Sequence, residues 1–535
     1  MYRDKGAKDA MRPQLAPGDW VTLHARHQPD APCLVRPDGE VFTYAEVNRQ
    51  VTRLAHALRD RGLAKGDRLG IVATDSPEYV MVQLACMKLA VTSVAINYRL
   101  AAPEVQNLLQ TSQIDALIVE SRYTELTAPS RAALADRLRV VATFDDPGPD
   151  GERFDGSFAE LVAGASSDAE IESASTDEDI LHLALTSGTT GTPKGVLQSQ
   201  RMVKTAVVQG ALELGLQPDD LTYTGAPLFH VSGIWHVLYG MSRGAAAMVT
   251  PQFEVDEVLR WLQSGRVRHA MLITSMVIAL LEHPDVRNSP YTGLRSIMYG
   301  GAPMPPSVIR EMNAVFKCDL YNGFGAGTEA AGQTMFRPAD HRRALAGEEH
   351  LLGSIGRPIY GVDVKLCDPD GTEVAPGEVG EIYSRGDAVM SGYLNQPERS
   401  AQAVSDGWFH GGDLAWRDPD GFLFLAGRAD DMIIRGGENV YPVEIEDVVS
   451  DHDSVAEVAV IGEPDAYYGE TVTAIVRLLP GTALSYEELA THCRGRLGSY
   501  KIPSRLVVVE DLPRSQTGKI QKGVLRQRLR TGELA

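Results

Sequence analysis

Thr186-Ser187-Gly188-Thr189-Thr190-Gly191-Thr192-Pro193-Lys194-Gly195, TSGTTGTPKG in one-letter code, follows directly on the apolar run ILHLAL at 180–185. A short apolar run bounded by turn residues reads as a buried strand. Glycines then let backbone N–H groups close around an anion, the hydroxyls of Ser187, Thr189 and Thr190 add donors, and Lys194 supplies charge. The stretch predicts a polyphosphate-binding loop hung from a buried strand, with a helix following over VLQSQRMVKTAVVQGALEL. It is not a Walker A loop, because Gly195 rather than Ser or Thr follows Lys194, which argues against a P-loop kinase or motor ATPase. A flexible linker of the same composition has no reason to follow a buried strand or to contain Pro-Lys-Gly.

Upstream, from Thr43 to about Val119, helical patterns such as YAEVNRQVTRLAHALRDRG alternate with β-rich runs such as RLGIVAT and ALIVE. That alternation predicts βαβ units and a mostly parallel sheet. Residues 145–180 are rich in Asp, Glu, Ser and Gly and read as an exposed connection with little structure of its own. Downstream, Asp370-Gly371, Asp406-Gly407 and Asp420-Gly421 break short strands between Gly361 and Phe424, the texture of an antiparallel or barrel-like subdomain. From about Asp430, EIEDVVS and YEELATHCRGRL read as helices and VAEVAVIG and TAIVRLL as strands, enough for a small α+β domain.

The chain has 535 residues, which predicts two to four domains, and its 44% hydrophobic and 23% charged content is that of a globular protein. A formal charge of −20 argues against a nucleic-acid polymer or a polybasic membrane anchor as partner, since both need cationic surface. Cys33, Cys86, Cys318, Cys367 and Cys493 are odd in number, widely spaced and without a His cluster, so neither a disulfide framework nor structural zinc is expected. The N-terminal MYRDKGAKDAMRPQL lacks an apolar h-region, and the apolar stretch Met81 to Ile96 is too short for a membrane span and carries Gln83 and Lys88. The expectation is a soluble cytoplasmic protein.

TSGTTGTPKGV resembles the phosphate loop of the adenylate-forming (ANL) acyl-CoA synthetases, the family of aryl-CoA ligases, firefly luciferase and peptide-synthetase adenylation domains. The similarity runs from TYAEVNRQVTRLAHALRDRGLAKGDRLGI to LPRSQTGKIQK, nearly the whole chain. It implies an α/β fold: a large AMP-binding domain, 1–429, of βαβ sheets plus a barrel-like subdomain, then a small mobile α+β domain, 430–535, turning about a hinge at Asp430.

Residue by residue, the resemblance implies that Thr186, Ser187, Gly188, Thr189, Thr190, Gly191 and Lys194 hold the ATP phosphates. Gly300, Gly301, Ala302 and Pro303 pass beside adenine and the acyl group, and Asn322, Gly323 and Phe324 lead into the motif ending in Thr328-Glu329. There Thr328 contacts the α-phosphate and Glu329 holds Mg²⁺. One extra residue before Thr328 leaves either Phe324 or Gly325 in the place of the adenine-stacking ring. Asp413 and Arg428 match the residues that hold the ribose hydroxyls.

His230, Val231 and Trp235, with Gly300, Gly301, Gly323 and Gly325, are the implied acyl pocket, and His230 gates or orients the acid. The Pro227 to Gly233 segment has no Asp to pair an α-ammonium, which favours an acid without an α-amine. Gly436 and Gly437 match the loop of the CoA tunnel, and Lys519 the catalytic lysine. The implied reaction is ATP-dependent conversion of a hydrophobic, bulky carboxylic acid to acyl-AMP and pyrophosphate, then thioester formation with CoA. The alternatives are an enzyme that stops at acyl-AMP or that loads a carrier-protein thiol. A homodimer is the default assembly. Residues 491–535 carry ten basic and three acidic side chains, a cationic tail suited to ATP or CoA phosphates.

Overall fold

The computed structural model describes residues 16–146, 154–173, 175–186, 194–288, 290–436, 438–465, 467–514 and 520–534. The chain packs into two compact units. The larger comprises Met1–Gly347, Pro358–Val362 and Arg385–Phe409; the smaller comprises Glu348–Arg357, Asp363–Ser384 and His410–Ala535. Asp430 lies within the smaller unit, exposed on the 3-10 turn Ala429–Asp431.

In the larger unit, one seven-stranded sheet runs Gly392–Tyr393, Lys194–Ser199, Ile180–Thr186, Thr92–Ala95, Arg68–Val72, Ala116–Val119, Val140–Thr143. The last five are parallel, as the βαβ alternation predicts. The helix Tyr44–Asp60 begins at a capping box between Thr43 and Glu46 and buries Val47, Val51, Leu54, Ala55 and Leu58 on one stripe. A second sheet has a parallel centre of Asp319–Phe324, Ser296–Gly300, Val267–Ile273, Leu221–Thr224, Ala246–Met248 and Pro32–Val35.

Two expectations change. The glycine-rich loop does not lead into a helix: Lys194–Ser199 is a strand that pairs antiparallel with Ile180–Thr186, and the helix Gln200–Glu213 starts only after a Ser199 cap. KGVLQS has one side chain in two to bury on each sheet face, and the strand Gly392–Tyr393 pairs with its far edge. The two strands on either side of the glycine-rich stretch are thus antiparallel neighbours, and the helix begins one strand later than the sequence suggests. Nor is 145–180 featureless. Phe158–Ala163 is a helix with Phe158 and Leu161 buried, and Glu170 accepts from Lys88 Nζ at 2.6 Å, burying that lysine fully in the core.

The smaller unit contains most of an antiparallel array built on Trp408–Arg417 and Leu423–Arg428, flanked by Gly380–Arg385 and Asp363–Cys367 on one side and Ser354–Pro358 on the other. A second sheet pairs Val455–Asp465 with Gly469–Leu478 along their whole length, and Arg505–Val509 joins it in parallel. The helix Pro442–Ser450 lies against Leu423–Arg428, with Val443 Cγ2 3.7 Å from where a Cβ on Gly427 would stand. That packing draws the strand before Asp430 into the same unit as the residues after it. The cationic tail is largely neutralised locally: Arg496, Lys501, Arg505, Arg514, Lys522 and Arg526 pair with Asp451, Glu444, Glu463, Glu457, Glu446 and Asp431. No helix among the described residues is long and apolar enough to cross a membrane.

Candidate active site

In the larger unit, the parallel strands Ser296–Gly300 and Asp319–Phe324 end side by side, with Gly300 in register with Gly323. A Cβ on Gly300 would meet Gly323 O at 2.6 Å, so glycine is needed there for the two backbones to lie this close. Carboxyl ends of parallel strands are where α/β folds place ligands. Beyond Gly300 the chain turns through Gly301 at φ +83°, and Gly301, Ala302 and Pro303 are exposed. Thr274 Oγ1 donates to Ala302 O at 3.2 Å, fixing that turn. Asn322, Gly323 and Phe324 are half-buried, and Phe324 O accepts from Gln333 N–H at 2.8 Å.

The extra residue before Thr328 is absorbed by a turn: Glu329 N–H donates to Ala326 O at 2.8 Å, with Gly327 at φ +34° inside it. Gly325 is held because a Cβ would lie 1.9 Å from Ala331 O. Thr328 Oγ1 donates to Glu329 Oε2, and Gln198 Nε2 donates to Thr328 O at 2.8 Å. A residue not anticipated from the sequence completes the group. Tyr393 Oη donates to Glu329 Oε1 at 3.3 Å, and Lys194 Nζ sits 5.3 Å from the centre of the Tyr393 ring. Backbone bonds Met390 N to Glu329 O (2.7 Å) and Leu394 N to Gly195 O (2.7 Å) hold Tyr393 between the two motifs. The cue was Gly392-Tyr393 just ahead of the helix Pro397–Ala403, where Gly392 takes φ +138° and lies on Ser400.

His230 caps the helix Val231–Arg243; its Nδ1 accepts from Ser232 N–H at 3.3 Å and lies 2.6 Å from Ser232 Oγ. With Nδ1 as acceptor, a neutral ring carries its proton on Nε2. Val231 is buried, and its Cγ2 is 4.0 Å from the Cβ position of Gly327. Trp235 is buried in the apolar core, its indole N–H without a hydrogen-bond partner among the described residues.

In the smaller unit, Asp413 and Arg428 face each other across antiparallel strands. Arg428 donates to Asp413 Oδ1 at 2.9 Å and to Gly411 O at 2.6 Å, so the fork is set by two acceptors. Gly412, at φ +83°, donates its N–H to Glu381 Oε1 at 2.8 Å. Gly436, at φ +62°, turns the hairpin between Ile433–Arg435 and Glu438–Val440, and its N–H donates to Tyr468 O at 2.7 Å. Ser187, Gly188, Thr189, Thr190, Gly191, Gly437 and Lys519 lie outside the described residues, and Thr186 ends its strand.

A carboxylate beside two hydroxyls, with a lysine nearby, suits a magnesium ion held jointly by protein and substrate phosphates. Among the described residues no group of three or more His, Cys, Asp or Glu side chains could hold a metal by itself. Glu329 fits an ion shared with substrate phosphates.

Residues 21–394 match the family model of the AMP-binding enzyme, and residues 444–519 that of the AMP-binding enzyme C-terminal domain. The chain belongs to the AMP-binding enzyme family. It is 34% identical over 513 residues to a feruloyl-CoA synthase of an Amycolatopsis species, covering 96% of this chain and 98% of that one. It is 32% identical to the fatty acid–[acyl-carrier-protein] ligase ScoC of Streptomyces coeruleorubidus over 95% of each. Among solved structures, the anthranilate CoA ligase AuaEII in complex with anthranoyl-AMP superposes with a TM-score of 0.87 at 27% identity, over 97% of this chain and 98% of that one. As a member of this family the protein is an adenylate-forming, acyl-CoA-synthetase-like ligase with a mixed α/β fold.

Proposed function

We propose that this enzyme activates a hydrophobic carboxylic acid with ATP and passes the acyl group to the thiol of CoA. The observation that carries the reading is the gathering of Thr328, Glu329 and Tyr393 with Lys194, the first residue of the strand that follows the glycine-rich stretch. Several polar groups that can hold phosphate and cation are there fixed by backbone pairing, so little reorganisation accompanies substrate binding.

In the first step a carboxylate oxygen of the acid forms a bond to the α-phosphorus of ATP while the bond to the pyrophosphate oxygen breaks. Ser187, Thr189, Thr190 and Lys194 hold the β- and γ-phosphates, Thr328 orients the α-phosphate, and Asp413 with Arg428 holds the ribose. Glu329 would hold Mg²⁺, which when bound offsets charge on the phosphate oxygens. Lys519 stabilises the charge shared between carboxylate and α-phosphate. The positioning of reactants and preorganised donors do most of the work. His230 and Val231 line the acid's path.

In the second step residues 430–535 turn about Asp430, withdraw Lys519 and present Gly436 and Gly437 to the incoming thiol. The thiolate attacks the acyl carbonyl and AMP leaves, while closure keeps water from the mixed anhydride. The free state of all five cysteines suits a reducing cytoplasm. The similarity to the carrier-protein ligase ScoC gives the second reading, transfer to a carrier thiol.

Acid-dependent ATP–pyrophosphate exchange, followed by AMP release with free CoA or with a carrier protein, tests both. Exchange with aryl or fatty acids and AMP release with CoA is the expected outcome. Release only with carrier favours the second reading, and exchange with no acid overturns both.

A further inference from the structure

We propose that Asp75 is a positioning residue for the acid substrate: through the backbone of Leu228 it fixes the segment Pro227–His230 beside the acyl pocket, an assignment that rests on the function proposed above. Asp75 follows the strand Arg68–Val72 and is only 8% exposed. Its Oδ1 accepts the N–H of Leu228 at 3.0 Å, a contact between residues 153 apart in sequence. A buried carboxylate needs partners, and a buried N–H left without an acceptor is costly, so the pair constrains both loops.

The segment it holds is compact. Pro227 O accepts from His230 N–H at 3.0 Å, and a Cβ on Gly233 would stand 2.2 Å from the same oxygen. The opposite side is held by aromatic contacts: Tyr98 meets Phe229 edge-on at 5.6 Å, and the Arg99 guanidinium lies 5.9 Å from the centre of the Phe229 ring. Leu228 is thus pinned by Asp75 and Phe229 by Tyr98 and Arg99, which sets where His230 begins its helix.

The charged and titratable groups whose fields reach Asp75 are Arg99, Tyr79 and Tyr223. The Tyr79 hydroxyl is buried without a hydrogen-bond partner among the described residues, and the buried Tyr223 hydroxyl faces Thr250. Burial pushes the Asp75 carboxyl up to about 7, against the lowering effects of the Leu228 N–H and Arg99. An ionised carboxylate accepts more strongly than a neutral one, so the segment is held more firmly as pH rises through that value.

The test is steady-state pyrophosphate release, with KM for acid and for ATP measured separately between pH 6 and 8.5, for wild type, Asp75→Ala and Asp75→Asn. Asp75→Ala is expected to raise the acid KM about tenfold while the ATP KM stays within about twofold. Asp75→Asn recovers most of that loss, because its amide oxygen accepts from Leu228. The wild-type acid KM falls as pH rises through neutrality relative to Asp75→Asn, whose Asn side chain does not titrate.

Equal effects of Ala on both substrates, an unchanged acid KM, or Asn as poor as Ala would overturn the assignment. If Asp75→Ala does not fold, the pH difference between wild type and Asp75→Asn decides alone. Wild-type turnover with an unmoved acid KM sinks Asp75 only; no turnover with any acid sinks the proposed function and Asp75 with it.

Discussion

Tyr393 Oη donates to Glu329 Oε1 at 3.3 Å while the Tyr393 ring lies under Lys194 Nζ, so one side chain ties the carboxylate motif to the strand that follows the glycine-rich stretch. Tyr393→Phe keeps the ring and removes the donor. We expect kcat/KM for ATP to fall about 3–10-fold, the worth of one ordinary hydrogen bond, since this one is long at 3.3 Å, with a higher magnesium requirement and an unchanged acid KM. Titrating adenylation against Mg²⁺ checks this. An unchanged magnesium dependence would make the contact structural.

Asp413 and Arg428 are paired across two strands, and the guanidinium also holds Gly411 O. Lysine cannot span both acceptors, because its ammonium is a point donor. Arg428→Lys is therefore expected to raise the ATP KM about tenfold and leave the acid KM near wild type. Kinetics with the 2′-deoxy and 3′-deoxy nucleotides add a control: loss of discrimination in the variant places the ribose here, and retained discrimination places it elsewhere.

The parallel order of the sheet was legible because the apolar runs LGIV and ALIV are buried along their whole length, and TSGTTGTPKG and GTE stand out by residue type. Three things were not. KGVLQS is short and polar enough to merge with the helix behind it, so the hairpin was hidden. Tyr393 reaches Glu329 only through strand pairing, which no local pattern reports. The basic tail is neutralised by acids from Asp431 to Glu463, a cancellation that depends on tertiary contact.

Lys88 and Glu170 show what the 145–180 connection contributes. Lys88 Nζ bonds Glu170 Oε1 at 2.6 Å and Thr22 Oγ1 at 2.7 Å, and Asn48 Nδ2 bonds the other carboxylate oxygen at 2.8 Å. Burial alone would raise the Glu170 carboxyl, but the bonds from Lys88, Asn48 and Thr22 outweigh it and hold it below its ordinary value of 4.5. Its folded value being depressed, its contribution to stability is complete above that ordinary value and is lost as pH falls through the folded one. Lys88→Met leaves Glu170 without its cation and should cost about 3 kcal/mol at pH 7, with a smaller difference from wild type near pH 3. Urea unfolding at both pH values measures it; equal losses at the two would show that packing, and not charge, is what Lys88 supplies.

The adenylation step offers the sharpest division of labour. If Lys519 stabilises charge only between carboxylate and α-phosphate, Lys519→Ala should slow acyl-AMP formation by roughly 10²–10³-fold, as for one preorganised donor. Thioester formation from supplied acyl-AMP should stay near wild type. Equal losses in both half-reactions, or in neither, would remove Lys519 from this role.

Gly327 lies in the turn before Thr328-Glu329, and among the described residues outside that turn the nearest atom to its Cβ position is Val231 Cγ2 at 4.0 Å. A side chain at this position would enter the region between the turn and the helix that His230 caps. Gly327→Val should therefore raise the KM of bulky aryl acids about tenfold or more and change that of a two- or three-carbon acid little. Its φ of +34° adds strain for any L residue, so Gly327→Ala is the control for backbone cost, about 1 kcal/mol. Comparing the two variants across a size series of acids separates shape from strain. A KM increase that is the same for every acid would mean that Gly327 serves the turn and not the pocket.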